Sequence, residues 1–177
     1  MCGVGRAVPG PRYVEDRSER NVRDRGDASG VLEEFLELWG RLRVASLEAG
    51  TVVVVEGERD RGALRRLGLS GPVVLVHRGD SLSTTAHRLA QRSRHVIVLT
   101  DWDSEGGQLA RRLKGFLEAE PIALDLEYRR RLARILRGEL VHVEGLHGWA
   151  RRLAERQGGT LEHFLGRTEP DSDAATE

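Results

Sequence analysis

Cysteine occurs once in this chain, at position 2, so no disulfide can close within it and no cysteine-based zinc cluster can form. Lysine is as scarce: Lys114 stands alone among 28 basic residues. Arginine is the better bidentate phosphate ligand, but so complete a bias reads more simply as genome composition. No apolar run approaches the roughly 20 residues that a membrane span requires. Gly, Pro, Arg and Asp occupy the first thirty positions where a signal peptide would place an apolar segment. A cytoplasmic protein is therefore the expectation. Net charge is also absent, at zero, which does not advertise a nucleic-acid binder. The distribution softens that reading. Glu169, Asp171, Asp173 and Glu177 crowd the last ten residues without a base, leaving residues 31–167 with a small positive excess.

What is present suits one polar globular domain. The chain has 177 residues, 39% apolar and 32% charged, enough to bury a sizeable core. Residues 1–30 hold few apolar side chains and read as a disordered arm. Apolar positions 31, 32, 35, 36, 38, 39 and 42 predict an amphipathic helix over 31–50, with Ser29 as cap and Gly50 as stop. Strands follow at 51–55, 73–77, 95–100 and 121–124, with helices at 60–67, 83–93, 105–118 and 125–137 between and after them. The helix 105–118 is expected to bury Leu109, Leu113, Phe116 and Leu117. Leu140-Val141-His142-Val143 is a further strand candidate, 146–166 a helical extension, and 167–177 a disordered acidic tail. Such alternation predicts an α/β fold whose central, mainly parallel sheet of about four strands is flanked by helices. No internal repeat is visible.

Two strand ends carry the chemistry. Val52-Val53-Val54-Val55 runs into Glu56-Gly57-Glu58-Arg59-Asp60, and Val96-Ile97-Val98-Leu99 runs through Thr100 into Asp101-Trp102-Asp103-Ser104-Glu105-Gly106. Ligands in open α/β sheets gather beyond the carboxyl ends of the strands, so these acids are placed to converge. Asp101 and Asp103, two apart on an extended segment, present both carboxylates to one side and send Trp102 the opposite way. Gly57 and Gly106 allow close backbone approach and positive φ. The helix after Asp103 directs amides toward the same space, which favours an anion. Three carboxylates would repel one another without a cation, and hard oxygen donors suit Mg²⁺ or Mn²⁺. Taken singly, each acid also suits a helix cap or a solvated loop.

The ordered pair of motifs, Glu56-Gly57-x-x-Asp60 and Asp101-x-Asp103-x-x-Gly106, each on its strand end, resembles the Toprim domain over about 51–145. Topoisomerases, bacterial-type primases, RecR-type recombination mediators, OLD-family nucleases and the 5S ribosomal RNA maturases share that domain. The chain looks most like the small stand-alone archaeal Toprim proteins, primase-like or maturase-like. Its two tyrosines, Tyr13 and Tyr128, lie in the arm and in an Arg-rich helix, and the cysteines of a primase ribbon or RecR-type finger are lacking. The resemblance implies that Asp101 and Asp103 are a metal-binding pair and that Glu56 is a further ligand and general acid or base. Asp60 and Glu105 would cap helices or stand behind the ligands. It implies a Mg²⁺- or Mn²⁺-dependent nuclease in RNA processing or DNA repair, with RNA or DNA as partner. The alternative is a non-catalytic, metal-dependent module that binds nucleic acid or a protein, with Phe35 and Trp39 of the first helix as docking surface unless they cover the sheet.

Other features have plainer readings. Arg130, Arg134 and Arg137 share a helical face, and Arg111 and Lys114 follow the second motif. They suit either a phosphate track or a solvated face paired with acids. Histidines 77, 87, 95, 142, 147 and 163 form no HExxH pattern and have no cysteine partner, so no zinc site is expected among them. Arg78-Gly79-Asp80 reads as a turn, and Gly57–Gly62 lacks the Gly-Lys-Ser/Thr ending of a phosphate loop.

Overall fold

The computed structural model of the protein describes residues 17–76, 79–118 and 120–166, with backbone alone for 17–28. Helix α1 (Arg17–Ala45) leads into strand β1 (Thr51–Val55), followed by α2 (Glu58–Arg66), β2 (Val73–Leu75), α3 (Leu82–Arg92), β3 (His95–Val98), α4 (Ser104–Leu117), β4 (Ala123–Asp125) and α5 (Glu127–Leu136). A 3₁₀ turn (Val143–Gly145), α6 (Leu146–Arg156) and the short α7 (Leu161–Phe164) complete the order. The four strands form one parallel sheet in the order β2-β1-β3-β4. The α/β class, the four-stranded parallel sheet and the flanking helices agree with the sequence reading.

Period-two alternation distributes the strands over two cores. Val53 and Val55 of β1, with Ile97 and Leu99, face α1, α2, α5 and α6; Val52, Val54, Val96 and Val98 face α3 and α4. The connection β1–α2–β2 steps toward one edge, and β2–α3–β3 and β3–α4–β4 step toward the other. A constant crossover hand then requires the helices to change faces at that reversal, as they do. The reversal places a topological switch point between the carboxyl ends of β1 and β3.

Helix α1 packs over the first face. Phe35 stacks on Trp39 at 5.8 Å between ring centroids and meets Trp149 of α6 edge-on at 5.4 Å. Trp39 is fully buried, and its indole Nε1 donates to Leu67 O (2.8 Å). Phe35 and Trp39 thus cover the sheet and are not available as a docking surface.

Three expectations are corrected. Helix α1 begins at Arg17, so residues 17–30, expected in the arm, continue the helix; scarcity of apolar residues limits burial, not helix geometry, and Glu and Arg are good helix formers. Residues 1–16, the acidic tail 167–177, His77 and Arg78 lie outside the described residues. Phe116 is 44% exposed because the face of α4 that meets the sheet is built from Ala110, Leu113 and Leu117. Residues 140–143 form no strand. β3 already has β1 and β4 on its two sides, and this segment pairs with the loop beyond β3, where Trp102 N donates to Val141 O (2.8 Å).

These packing differences set measurable stabilities. Phe35→Ala should lower the unfolding free energy by about 3–5 kcal/mol, as for other buried aromatics. Phe116→Ala should change it by no more than about 0.5 kcal/mol. Urea unfolding followed by circular dichroism measures both, and equal losses would contradict the assignment of the two rings.

Candidate metal centre

The site occupies the switch point. Glu56 follows the last residue of β1, and the chain beyond β3 stays in register for one more bond, Leu99 N to Val54 O (2.8 Å). Asp101 N then donates to Glu56 Oε1 (2.9 Å), which ties the two strand-end loops together through two of the expected residues.

Asp101 is the centre of the arrangement. Its Oδ1 accepts from Val143 N (2.8 Å) and its Oδ2 from His142 Nδ1 (2.8 Å). A carboxylate only accepts, so Nδ1 carries the proton in this pair. His142 Nδ1 also lies 3.9 Å from Asp103 Oδ2. The other oxygen of Asp103, Oδ1, accepts from Gly106 N (2.8 Å) and caps α4. Ligand atoms of Asp101, Asp103 and His142 all lie within 4.8 Å of one another. The trio brought together is therefore two carboxylates and an imidazole, with Glu56 one hydrogen bond away through the backbone of Asp101. Mutual repulsion of the acids is relieved by the amides and the imidazole as well as by any cation.

Below the carboxylates the loop rests on an arginine. Arg129 of α5 donates through Nε to Thr100 O and Oγ1 (both 3.1 Å) and through Nη2 to Asp101 O. The buried Thr100 hydroxyl donates to Gly106 O (2.8 Å). Burial lowers the Arg129 pKa, while Glu56, Asp101 and Asp103 beside it oppose that shift. Trp102 points away from the site as expected and donates from Nε1 to Arg129 O (2.9 Å).

Gly106 has no room for a side chain. A Cβ there would stand 2.3 Å from Asp101 O and 2.8 Å from Asp101 N, so the helix start presses directly on the Asp101 backbone. Neither Gly57 nor Gly106 has positive φ, and a Cβ on Gly57 would meet nothing within 4 Å. The glycine requirement is thus steric, at Gly106 alone.

Asp60 is buried and accepts from Gly57 N (2.9 Å), closing the first turn of α2; burial pushes its carboxyl pKa up, against that hydrogen bond. Glu105 is exposed in the first turn of α4. Arg130 and Arg134 pair with Glu127 at 3.1 and 3.2 Å, and Lys114 with Glu118 at 3.3 Å, so these bases sit on solvated faces paired with acids. An open cleft of about 400 Å³ borders Asp101 and His142 and is lined further by Glu56, Gly57, Glu58, Arg59, Asp60 and Glu144. So acidic a lining attracts cations and repels phosphate until a cation binds.

Sequence reasoning missed Arg129 and His142. Arg129 lies one position off the arginine face that the helical spacing picks out. The signal for His142 was a polar residue between two valines in an otherwise apolar stretch.

The family profile of the Toprim domain matches residues 51–135. A UPF0292 protein of Thermococcus gammatolerans is 36% identical over 132 residues, which are 75% of this chain and 95% of that protein. Another, from Methanosarcina barkeri, is 33% identical over 128 residues, 72% of this chain and 83% of that one. The chain belongs to the UPF0292 family and contains a Toprim domain. A solved protein of Aquifex aeolicus shares the fold, with a TM-score of 0.51 at 24% identity, over 61% of this chain and 94% of its own. Toprim domains typically bind divalent metals and are related to nucleic-acid chemistry, and Asp101, Asp103 and His142 of this UPF0292 chain form a group able to hold an ion. No helix among the described residues is long and apolar enough to cross a membrane.

The hydrogen bond to Asp101, reinforced by the charges of Asp101, Asp103 and Glu144, raises the His142 pKa above its ordinary value, against a smaller opposing effect of desolvation. A histidine raised in the folded state contributes stability that is complete below its unfolded pKa, about 6.5, and is lost as pH rises through the folded value. Proton NMR titration of the metal-free protein should place His142 above the free imidazole, and Asp101→Asn should bring it down. An unchanged titration in Asp101→Asn would show that the pair is not formed in solution.

Proposed function

We propose that this Toprim protein is a Mg²⁺-dependent enzyme (Mn²⁺ serving also) that hydrolyses nucleic-acid phosphodiester bonds, acting in the cytoplasm in RNA processing or DNA repair. The observation that carries the reading is the convergence of Asp101 and Asp103 at the switch point, joined to Glu56 by the Asp101 N–H. The donor set fits a divalent cation: two carboxylates, one of which keeps an oxygen clear of its capping bond. Domain organisation is proposed as a Toprim unit over 51–145, preceded by the helix that covers its sheet and followed by a helical extension to 166.

Asp101 and Asp103 hold the ion, with Glu56 as further ligand or proton carrier. When bound, the ion supplies charge neutralisation at the scissile phosphate and assists the attacking or leaving oxygen. The chain's own residues do the rest. Arg129 fixes the carbonyls of Thr100 and Asp101, which holds the backbone of the acidic loop in place under Asp101 and Asp103. Gly106 N holds one oxygen of Asp103, so its carboxylate cannot rotate away from the site. Glu56, anchored through Oε1, lines the cleft, where as general acid or base it would take or give a proton.

Asp103→Asn tests this reading. Asparagine caps a helix as well as aspartate, so melting of the metal-free protein should stay close to that of wild type, whereas Asp103→Ala should lose about 1 kcal/mol. Mg²⁺ or Mn²⁺ should raise the melting temperature of wild type by mass action and do so far less in Asp103→Asn. Cleavage of mixed RNA and DNA, dependent on metal and abolished by chelator, should fall by about 10²-fold or more in the variant. Metal-dependent nucleic-acid binding without cleavage in wild type would favour the non-catalytic module. Loss of folding in Asp103→Asn with metal response intact would make Asp103 a helix cap and nothing more.

A further inference from the structure

His142 is clamped from both sides. Val141 O accepts from Trp102 N, and Val143 N donates to Asp101 Oδ1, both at 2.8 Å, so the residues before and after it are bonded to consecutive residues of the acidic loop. Val143 is 1% exposed in the main core, which anchors the backbone just beyond the ring. An ordinary surface histidine keeps its rotamer freedom. This one is fixed on backbone that is bonded to the same aspartate its ring touches. Among the described residues, no other group of three metal-ligating side chains comes so close together. The Toprim match ends at residue 135, so His142 is supplied by chain beyond it.

We infer that His142 is a further protein ligand of this centre, exchanging its Nδ1 proton for the ion, and that its imidazole makes a site open to Mg²⁺ bind first-row transition cations such as Mn²⁺ more tightly. The inference rests on the metal-dependent reading above and deepens it. Carboxylates alone are hard donors, matched to an ion that keeps most of its waters. Imidazole is a softer nitrogen donor that suits transition ions better than Mg²⁺, with affinity rising from Mn²⁺ along the first row. Nearby groups do not replace it. The Arg129 guanidinium has no lone pair to offer, and Glu56 adds only another hard oxygen donor. The ring is half-exposed, so the open side of the cleft is left for water or a phosphate oxygen.

Isothermal titration of the full chain with MnCl₂ and, separately, MgCl₂ reads this without turnover, in wild type, His142→Ala and His142→Gln. Mn²⁺ affinity should fall about tenfold or more in both variants, at least the loss seen when a mere outer partner of a ligand is removed. Mg²⁺ affinity should be nearly unchanged. Pulsed electron paramagnetic resonance of the Mn²⁺-loaded wild type should show one directly bonded nitrogen, absent in His142→Gln. Equal losses for both ions, or bound Mn²⁺ without nitrogen coupling, would overturn the assignment of His142 while leaving the carboxylate centre standing. Absence of binding by either ion to wild type would overturn the metal-dependent reading itself. Should His142→Ala fold poorly, the glutamine variant and the wild-type spectrum decide the question.

Discussion

Asp101 joins three separate parts of the chain, and the site lasts only while those bonds hold. Its amide is bonded to Glu56 beyond β1, its carbonyl to Arg129 of α5, and its carboxylate to His142 and Val143 before the 3₁₀ turn. Gly106 presses on the same residue from the start of α4, at a distance that admits no Cβ. A single aspartate thereby fixes the relative positions of two strand ends and two later segments. Position within the fold, more than acidity, makes it the centre.

The parallel sheet makes that junction possible. β1 and β3 are neighbours because the chain reverses direction after β2, and their ends open side by side where no crossover covers them. Packing makes the scaffold stiff there. Phe35, Trp39 and Trp149 lock α1 and α6 over one face, and α5, packed in the same core, carries Arg129 underneath the loop. The aromatic core and the charged site are thus linked through one helix: α5 buries Leu132, Ile135 and Leu136 and presents Arg129 toward the site.

The acids of the site are partnered by the chain itself. Amides of Asp101, Gly106 and Val143 each satisfy a carboxylate oxygen, the imidazole N–H of His142 donates to Asp101, and the Arg129 guanidinium supplies positive charge beneath the loop. Such a site is preorganised. A cation entering it would not have to assemble the ligands, which would keep the reorganisation cost of binding low. The acidic lining of the adjoining cleft favours cations over free anions.

By itself the sequence determined the class of fold and the edge of the sheet at which these acids emerge. Apolar runs of four or five residues separated by helical spacing admit little but a parallel sheet, and acids placed directly after two such runs must emerge at its carboxyl edge. Glu56, Asp101 and Asp103 were legible for that reason, and so was the outward turn of Trp102. Tertiary structure alone decided the rest. Local pattern gives each residue a face but not a neighbour, so nothing in 129–143 revealed that an arginine one step off the solvated face, and a histidine between two valines, would close on Asp101. The same limit explains Phe116, apolar yet exposed, and residues 140–143, strand-like yet bonded to a loop: both depend on which partners the topology had already used.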